Sequence, residues 1–521
     1  MPSAALHALG ASATAEPDSG VLASIESSVD SVFSGIANDL SSVIFYSVSI
    51  GGATFPLIVG WLVLAGLIFT AYFGFIQFRG LKVAVETIRG RFSRDSDPGE
   101  VTHFQALTSA VSGTVGLGNI AGVAVAVTVG GPGATFWMIV AGLLGMCTKF
   151  VECTLGVKYR EVHEDGSVTG GPFRYLKVAF AKIRVTWVGT ILTAIFAVAI
   201  FFFGVAGGNM FQANQTFAQF RNITGGEDGF LGSTGAAFVF GIVLAALVGA
   251  VILGGITSIG RVTSRLVPAM AIIYVLACLI VILGNLGQVP EAVGAILSNA
   301  FNPEGVAGGV LGALIVGFQR AAFSNEAGIG SAPIAHSAVK THRPVSEGFV
   351  ALLEPFIDTV IICTMTALTI IIASPASWLD ARETVAAGGD SPDGVVLTSD
   401  AFESVISWFP IVLAIAVALF AFSTLITWSY YSEKAWAHFF GRSSASLLTF
   451  KVIYCLFTVI GTVMTFSSVL TLADAMLFIC ALVNIIGLYI LAPVVKDELR
   501  SYLADRRSGK LAREGEDVPT A

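Results

Sequence analysis

Two stretches of this 521-residue chain set glycines and small polar residues into otherwise apolar sequence. One reads Ser112-Gly-Thr-Val-Gly-Leu-Gly-Asn-Ile-Ala-Gly122, the other Phe323-Ser-Asn-Glu-Ala-Gly-Ile-Gly-Ser-Ala-Pro333. Each holds a Gly-x-Gly (Gly116/Gly118 and Gly328/Gly330), followed by Asn119 or Ser331. Two such glycines cost a helix about 2 kcal/mol relative to alanine, and Pro333 removes a backbone donor. Both stretches therefore read as breaks. A broken helix turns free N–H groups and a positive dipole end toward an anion, and free carbonyls toward a cation. The alternative is that the glycines only let helices pack closely; finding the motif at the same place in two repeats argues for breaks.

The surrounding elements are membrane spans. Hydrophobic residues make up 55% and charged residues 12%, with a mean hydropathy of +0.82, against about 25% charged residues in soluble proteins. This composition excludes a soluble enzyme, a nucleic-acid binder and a disordered scaffold, and a net charge of −7 gives no sign of a nucleic-acid partner. The apolar runs are continuous, which disfavours a β-barrel. With about 20 apolar residues needed per span, eleven transmembrane helices are read: 56–78, 104–130, 134–157, 187–217, 236–256, 266–284, 307–339, 349–374, 405–432, 447–468 and 472–495. The segments 104–130, 187–217 and 307–339 are long enough to need tilts, kinks or breaks.

Basic residues orient the spans. Alternate connections (79–103, 158–186, 257–265, 340–348, 433–446 and 496–521) hold 23 of the 28 Lys and Arg; the opposite set holds only Arg221 and Arg382. The basic side is cytoplasmic by the positive-inside rule, which puts the N-terminus outside, the C-terminus inside and the chain in the plasma (inner) membrane. Residues 1–53 contain no Lys or Arg, so no secretory signal is read and the first span is expected to direct insertion. Within this external segment, apolar residues at helical spacing over 21–45 predict an amphipathic surface helix. Residues 375–403 are expected to form a long external loop, and 496–521 a charged, partly disordered cytoplasmic tail. The six cysteines lie in apolar stretches, where disulfides are not expected, and the six histidines are scattered without a metal motif.

The second and seventh spans, which carry the breaks, are five apart. Five is odd, so the units they open are inverted relative to each other. The predicted fold is an all-α polytopic membrane protein: one extra N-terminal helix, then a 5+5 inverted repeat (104–284 and 307–495) with broken first and sixth core helices. Gly-interrupted helices at matching places in two such halves point to a transporter binding site.

The motifs also resemble a known family. Gly-Leu-Gly-Asn-Ile-Ala-Gly (116–122), Gly-Gly-Pro-Gly-Ala-x-Phe-Trp-Met (130–138) and the run from Phe318 to His336 are similar to the signatures of the sodium:alanine/glycine symporter family. The resemblance covers about 54–495; one departure is Ile139, where the family commonly has Trp. It implies a leucine-transporter-like fold, sodium coupling and small neutral amino acids, alanine or glycine, as substrates. No cofactor is implied beyond Na+ as the coupling ion.

An amino-acid zwitterion needs donors for its carboxylate, acceptors for its ammonium and a wall that sets side-chain size. The breaks nominate Thr114, Gly116, Gly118 and Asn119 from the first core helix, and Phe323, Ser324, Asn325 and Gly328 from the sixth. Phe323 is also a steric cap. In the third, Asn209 and Gln212 share a face; Gln212 resembles the family's substrate-contacting glutamine, and both amides also suit helix cross-links. In the eighth, Ser423 and Thr424 are adjacent hydroxyls. The resemblance makes them sodium ligands with backbone carbonyls near Gly113 and Gly116, and makes Thr424 and Trp428 line the substrate site. The plainer alternative is a hydroxyl bonded to its own helix. Among charged residues in the spans, Lys149, Glu152, Arg320, Glu326, Glu354 and Asp358 read first as structural pairs or gates.

The leading expectation is a sodium-coupled importer working by alternating access. A proton-coupled small-solute transporter, with Glu326, Glu354 or Asp358 as relay, is the alternative; an ion channel fits less well, because channels usually surround one pore with symmetric subunits. No phosphate loop, Gly-x-Ser-x-Gly or His/Cys/Asp metal cluster suggests an enzyme or an ATP-driven pump.

Overall fold

Apolar backbone that cannot bond to water satisfies itself most simply as helix, and helices account for most of the described residues. The computed structural model describes residues 35–511 other than 36, 51–52, 92–93, 95–96, 165, 303–308 and 390–392. Of the predicted surface helix, the described residues 37–44 are helical, and Phe45 packs its ring 5.1 Å from Phe478; the rest of that prediction lies outside the described residues.

A hairpin of β1 (Ser47–Ile50) and β2 (Ala53–Pro56) leads into α1 (Leu57–Tyr72). Then come α2 (His103–Thr114), α3 (Ala121–Val129), α4 (Gly133–Lys158), α5 (Pro172–Lys182) and α6 (Thr186–Val205). A π turn, Ala206–Met210, joins α6 to α7 (Phe211–Ile223). Next are α8 (Thr234–Ile252), α9 (Gly255–Gly284), α10 (Val289–Phe301), α11 (Gly309–Asn325) and α12 (Ala332–His336). After α13 (Pro344–Ala351), a π segment, Phe356–Cys363, precedes α14 (Thr364–Ala373). The chain closes with α15 (Ala376–Ala386), α16 (Gly394–Glu403), α17 (Phe409–Phe440), α18 (Ser444–Val463) and α19 (Phe466–Arg507).

Among the described residues, eight helices are long and apolar enough to cross a membrane, nine if the bent pair α2–α3 counts as one span. The remaining two predicted spans are α1, at 16 residues, and the interrupted pair α11–α12. In the packing, α2 lies against α9 and α17, α4 against α1, α11 and α13, and α6 against α5, α17 and α19.

Three connections differ from the expectation. The presumed loop 375–403 contains α15 and α16, because Val395, Leu397, Ala401 and Phe402 are buried where α16 packs among α3, α7, α14 and α17; Gly and acidic residues masked that pattern. The connection 257–265 is the first part of α9. Residues 496–507 of the predicted tail continue α19, with Leu499 and Tyr502 buried; residues 512–521 lie outside the described residues. All six cysteines are free.

Gly394 opens α16 directly over the carbonyl of Ala121, where an added Cβ comes within 2.2 Å, and Thr398 donates to the Ile120 carbonyl at 3.3 Å. Gly394→Val is expected to push α16 off α3 and lower stability by about 1–3 kcal/mol, the usual cost of overpacking. Thermal unfolding of the purified protein in detergent checks this against Gly284→Ala, whose Cβ meets nothing within 4 Å and which is expected to be neutral.

Candidate functional site

The first break is built by side-chain amides. A capping box between Thr102 and Gln105 starts α2, which ends at Thr114 and turns by 56° into the 3-10 turn Leu117–Asn119 and α3. Asn119 Oδ1 accepts from Gly116 N at 3.0 Å, and Gln212 Oε1 accepts from Leu117 N at 3.0 Å. Gln212 Nε2 in turn donates to the Gly207 carbonyl, 3.0 Å away in the π turn. The Thr114 hydroxyl bonds back to Ala110 and Val111 at 3.4 and 3.3 Å, and its carbonyl accepts from Gly116 N at 2.9 Å.

The second break lies between α11 and α12. Glu326 takes a left-handed φ of 55°, and Gly328 and Gly330 follow at 90° and 89°, where only glycine is free of Cβ strain. Asn325 Oδ1 accepts from Ala327 N at 3.0 Å, and its Nδ2 donates to Thr359 at 2.9 Å. It lines a small cavity of about 30 Å³ beside α1 and α4, and pairs with neither Gly116 nor Thr424. Asn484 donates to the Gly328 carbonyl at 2.9 Å and to Glu152 at 2.6 Å.

The two breaks meet on one carboxylate. Asp358, in the π segment, accepts from Asn119 Nδ2 at 2.6 Å, Ser324 Oγ at 2.7 Å and Thr359 Oγ1 at 2.6 Å. Asn119 also donates to Ser324 Oγ at 3.0 Å. All these donors are neutral, and Asp358 is fully buried. The sequence marked Asp358 as a charge within a span, but not as the group that joins both breaks.

Beside the first break is a cluster of neutral oxygens. Thr424 Oγ1 lies 3.0 Å from both the Ser112 and the Phe420 carbonyl oxygens, and Ser423 Oγ lies 2.9 Å from the latter. Ser112 Oγ donates to the Ser423 carbonyl at 2.6 Å and meets Thr427 Oγ1 at 3.0 Å. The expected carbonyls near Gly113 and Gly116 are engaged elsewhere: Gly113 O accepts from Trp428 Nε1 at 3.0 Å, and Gly116 O from Asn119 N at 3.2 Å. The carbonyl that faces Thr424 is that of Ser112. Hard cations take oxygen ligands, backbone carbonyls among them.

Aromatic rings close the site. Phe323 packs on Phe211 and Phe203 at 5.2 and 6.0 Å, and Trp428 on Phe203 at 4.7 Å. A Cβ on Gly208 falls 2.1 Å from the Trp428 ring, so that glycine makes room for the indole. One turn before Phe323, Arg320 lies 5.5 Å over its ring and ion-pairs with Asp474 of α19. Asn209 donates to the Tyr454 carbonyl at 2.8 Å, which ties α7's approach to α18 and takes it away from the breaks.

Sequence reasoning reads Lys149 and Glu354 as structural pairs or gates but does not bring His103, His336 and Glu347 into the buried charged chain they form. His103 and His336 both meet Glu347, and Glu354 lies between His336 and Lys149. Two histidines far apart in sequence carry no signal that they converge. Among the described residues no group of three or more His, Cys, Asp or Glu is arranged to hold a metal ion.

Gly116 is the tightest point of the first break: a Cβ there meets Thr424 Oγ1 at 2.5 Å and Gln212 Oε1 at 3.0 Å, whereas on Gly118 it meets Phe323 at 3.3 Å. Gly116→Ala is expected to lower stability by about 1–3 kcal/mol and Gly118→Ala by clearly less, because one ring can shift slightly. Equal melting temperatures for the two variants in detergent would contradict this.

The chain is similar to known proteins. The sequence model of the sodium:alanine symporter family matches residues 41–515. The chain is 35% identical over 454 residues to the sodium/alanine symporter AgcS of Methanococcus maripaludis, covering 87% of this chain and 95% of that protein. It is 33% identical over 480 residues to the probable sodium/glutamine symporter GlnT of Bacillus subtilis, covering 91% of each. Among solved structures, MhsT in complex with L-phenylalanine superposes with a TM-score of 0.51 at 16% identity, covering 78% of this chain and 99% of that one. That likeness shows a shared leucine-transporter-like fold. A multi-pass helical membrane protein with this family match across most of its length is an amino-acid symporter, and the chain belongs to the sodium:alanine symporter family.

Proposed function

We propose that the protein imports small neutral amino acids, alanine and/or glycine, together with sodium by alternating access. The observation that carries this reading is the meeting of two broken helices on Asp358, next to the oxygen cluster of Ser112, Phe420, Ser423 and Thr424. The breaks offer main-chain donors and acceptors to a zwitterion. Gly116, Gly118, Asn119, Gln212, Phe323, Ser324, Thr424 and Trp428 surround that place; Thr114 and Asn325 support the breaks from the sides. Sodium is held by Thr424 and Ser423 with the Ser112 and Phe420 carbonyls, and enters as cargo. The substrate carboxylate faces the α3 end of the first break, where the dipole is positive, and its ammonium faces Asp358 and the carbonyls.

In this reading eleven helices cross the plasma membrane with the N-terminus outside, the basic connections are cytoplasmic, and spans two to eleven form the 5+5 inverted repeat. Arg320, Asp474 and Phe323 form an outer gate: the ion pair bridges α11 and α19 above the ring. Separating that pair opens the path to Phe323, and closing it excludes water from the site.

A second reading, proton coupling, is favoured by Asp358 itself, a fully buried carboxyl group whose hydrogen-bond partners Asn119, Ser324 and Thr359 are all neutral. Proteoliposomes separate the two. Alanine uptake driven by an imposed sodium gradient at equal pH supports the first reading; uptake that follows a pH gradient and ignores sodium overturns it.

Two outcomes are expected. Thr424→Ala removes the hydroxyl between two carbonyls and is expected to raise the sodium half-saturation constant about tenfold or more, equivalent to roughly 1.4 kcal/mol or more of lost binding, a larger effect than its weakening of alanine binding at saturating sodium. Sodium titration of uptake checks it. Phe323→Ala is expected to shift preference toward valine and leucine, because a steric wall discriminates by more than the 1–3 kcal/mol of roughly one methylene. Competition by unlabelled amino acids reads this out, and an unchanged ranking sinks the size-filter role.

A further inference from the structure

At the basic end of the molecule, several cations are engaged by carboxylates: Lys158 by Glu498 at 2.5 Å, Arg343 by Asp505 at 2.8 Å and Arg506 by Glu86 at 2.7 Å. The corner where the start of α5 meets the end of α17 is different. The His438 ring of α17 stacks on Phe173 of α5 at 5.9 Å, and Lys177 lies one turn on from Phe173, on the same face. Arg174 and Lys177 are close enough to repel charge on His438, and Arg442 close enough to repel Arg174. Arg442 donates to Ser167, and Lys434 to the Val168 carbonyl at 2.9 Å, so the connection between α4 and α5 holds the end of α17 at this corner. Of the described acids on these elements, Glu161 is taken up by Arg174 and Glu433 by Lys451, while Glu164 is exposed on the connection. Lys177 and Arg442 are exposed. Among the described residues Lys177 forms no ion pair, and neither do Lys182 and Arg184, which extend the basic row to the end of α5.

Gathering like charges from two elements costs repulsion, which an anion placed among them reverses. Cations that serve only to orient the chain need no such convergence. The surface beside them is apolar: Trp187 is 68% and Phe440 62% exposed, with Ile191 at 49% and Phe439 at 47%. The start of α6 lies against Lys177, because a Cβ added to Gly189 comes 3.3 Å from the Lys177 Cα. Trp187 is two residues before that contact. Tryptophan prefers the membrane–water boundary, which sets these cations at the depth of lipid headgroups.

We propose that this corner binds an anionic phospholipid, with its phosphodiester among Arg174, Lys177 and Arg442 and its acyl chains along the exposed apolar side chains of α6 and α17. Basic pockets between membrane helices take anionic headgroups in this way, and the apolar flank selects a lipid over a free phosphate ester. The bound headgroup bridges α5 to α17, the helix that carries Ser423, Thr424 and Trp428. The surface lies apart from the two breaks, and the inference does not rest on the transport reading above.

Native mass spectrometry of the delipidated full chain in detergent tests it, with phosphatidylglycerol, phosphatidylcholine and glycerophosphoglycerol (the same anionic headgroup without acyl chains) as probes. Phosphatidylglycerol is expected to bind about tenfold or more tighter than either of the others, and to raise the melting temperature, as a ligand of the folded state does. Lys177→Gln with Arg442→Gln is expected to lower phosphatidylglycerol affinity about tenfold or more, to leave phosphatidylcholine binding unchanged and to abolish the rise in melting temperature. Lys177→Glu, a change of one exposed side chain, is expected to act in the same direction. Exchanging the two cation types, Lys177→Arg with Arg442→Lys, is expected to keep the affinity within about twofold. The control is Arg261→Gln with Arg265→Gln, which removes two exposed cations from α9 and is expected to stay within about twofold of wild type. Equal affinity for the two lipids, binding of glycerophosphoglycerol as tight as that of the lipid, or an equal loss in the α9 control each overturns the inference. Uptake enters none of these readouts, so failure of the transport reading and failure of this inference are separate results.

Discussion

The structure depends on one constraint: a helix interrupted within apolar surroundings must satisfy its freed backbone groups inside the protein. At the first break Asn119 and Gln212 take up the Gly116 and Leu117 N–H groups. At the second, Asn325 takes the Ala327 N–H, and Asn484 bonds the Gly328 carbonyl. Each of these amides has a second end, and those second ends hold the neighbouring parts in place: Ser324 and Asp358 from Asn119, Gly207 from Gln212, Thr359 from Asn325, and Tyr175 from Asn484. The polar interior is therefore a by-product of permitting the breaks, and ligand-binding groups come with it. A substrate that displaces part of this network enters a site whose polar groups are already oriented, which lowers the cost of ordering on binding.

The molecule's polar interior also separates into two layers of different character. Around the breaks the partners are hydroxyls, amides and carbonyls, with the buried carboxyl groups of Asp358, Glu326 and Glu152 set among them. Toward the basic end, Lys149, His336, Glu347 and Glu354 form a charged chain with all four side chains fully buried. Neutral groups exchange partners at low cost, whereas charges in a low-dielectric interior are held firmly by their counter-charges. The layering places adaptable contacts where ligands arrive and rigid ones where helices must keep their relative places.

What the sequence disclosed follows from which signals are local. The Gly-x-Gly breaks are short-range patterns legible in the order of residues, whereas Gln212 and the Ser423/Thr424 pair are singled out by the family resemblance. The contacts among them are long-range and are not legible there. Asp358 and Asn119 lie far apart in the chain, and nothing in either neighbourhood says they touch. The choice of the Ser112 carbonyl over that of Gly113 depends on where the Trp428 indole lands. The helix α16 was missed because its buried face is short and set among glycines and acids, so composition outweighed periodicity. For the π turn at Ala206–Met210, the Gly207-Gly208 pair was the local hint, and it reads equally well as a close-packing surface.

That π turn carries a consequence for the geometry of α6 and α7. A π turn adds one residue to a helix, and one residue is about 100° of rotation. Before the turn, small residues such as Gly204 lie against the Trp428 ring. After it, a stripe of amides emerges: Gln212 on the first break, Gln215 on Asp393 and the Val395 N–H, and Gln219 on Ser399. The inserted residue works as a phase shifter between two surfaces written in one continuous helix. Deleting one residue there and restoring a plain α-helix would leave every side chain chemically intact, yet rotate the amide stripe away from both the break and α16. In this segment chain length is as much a determinant of the site as residue identity, and a gain or loss of one position between related chains is a change of binding surface.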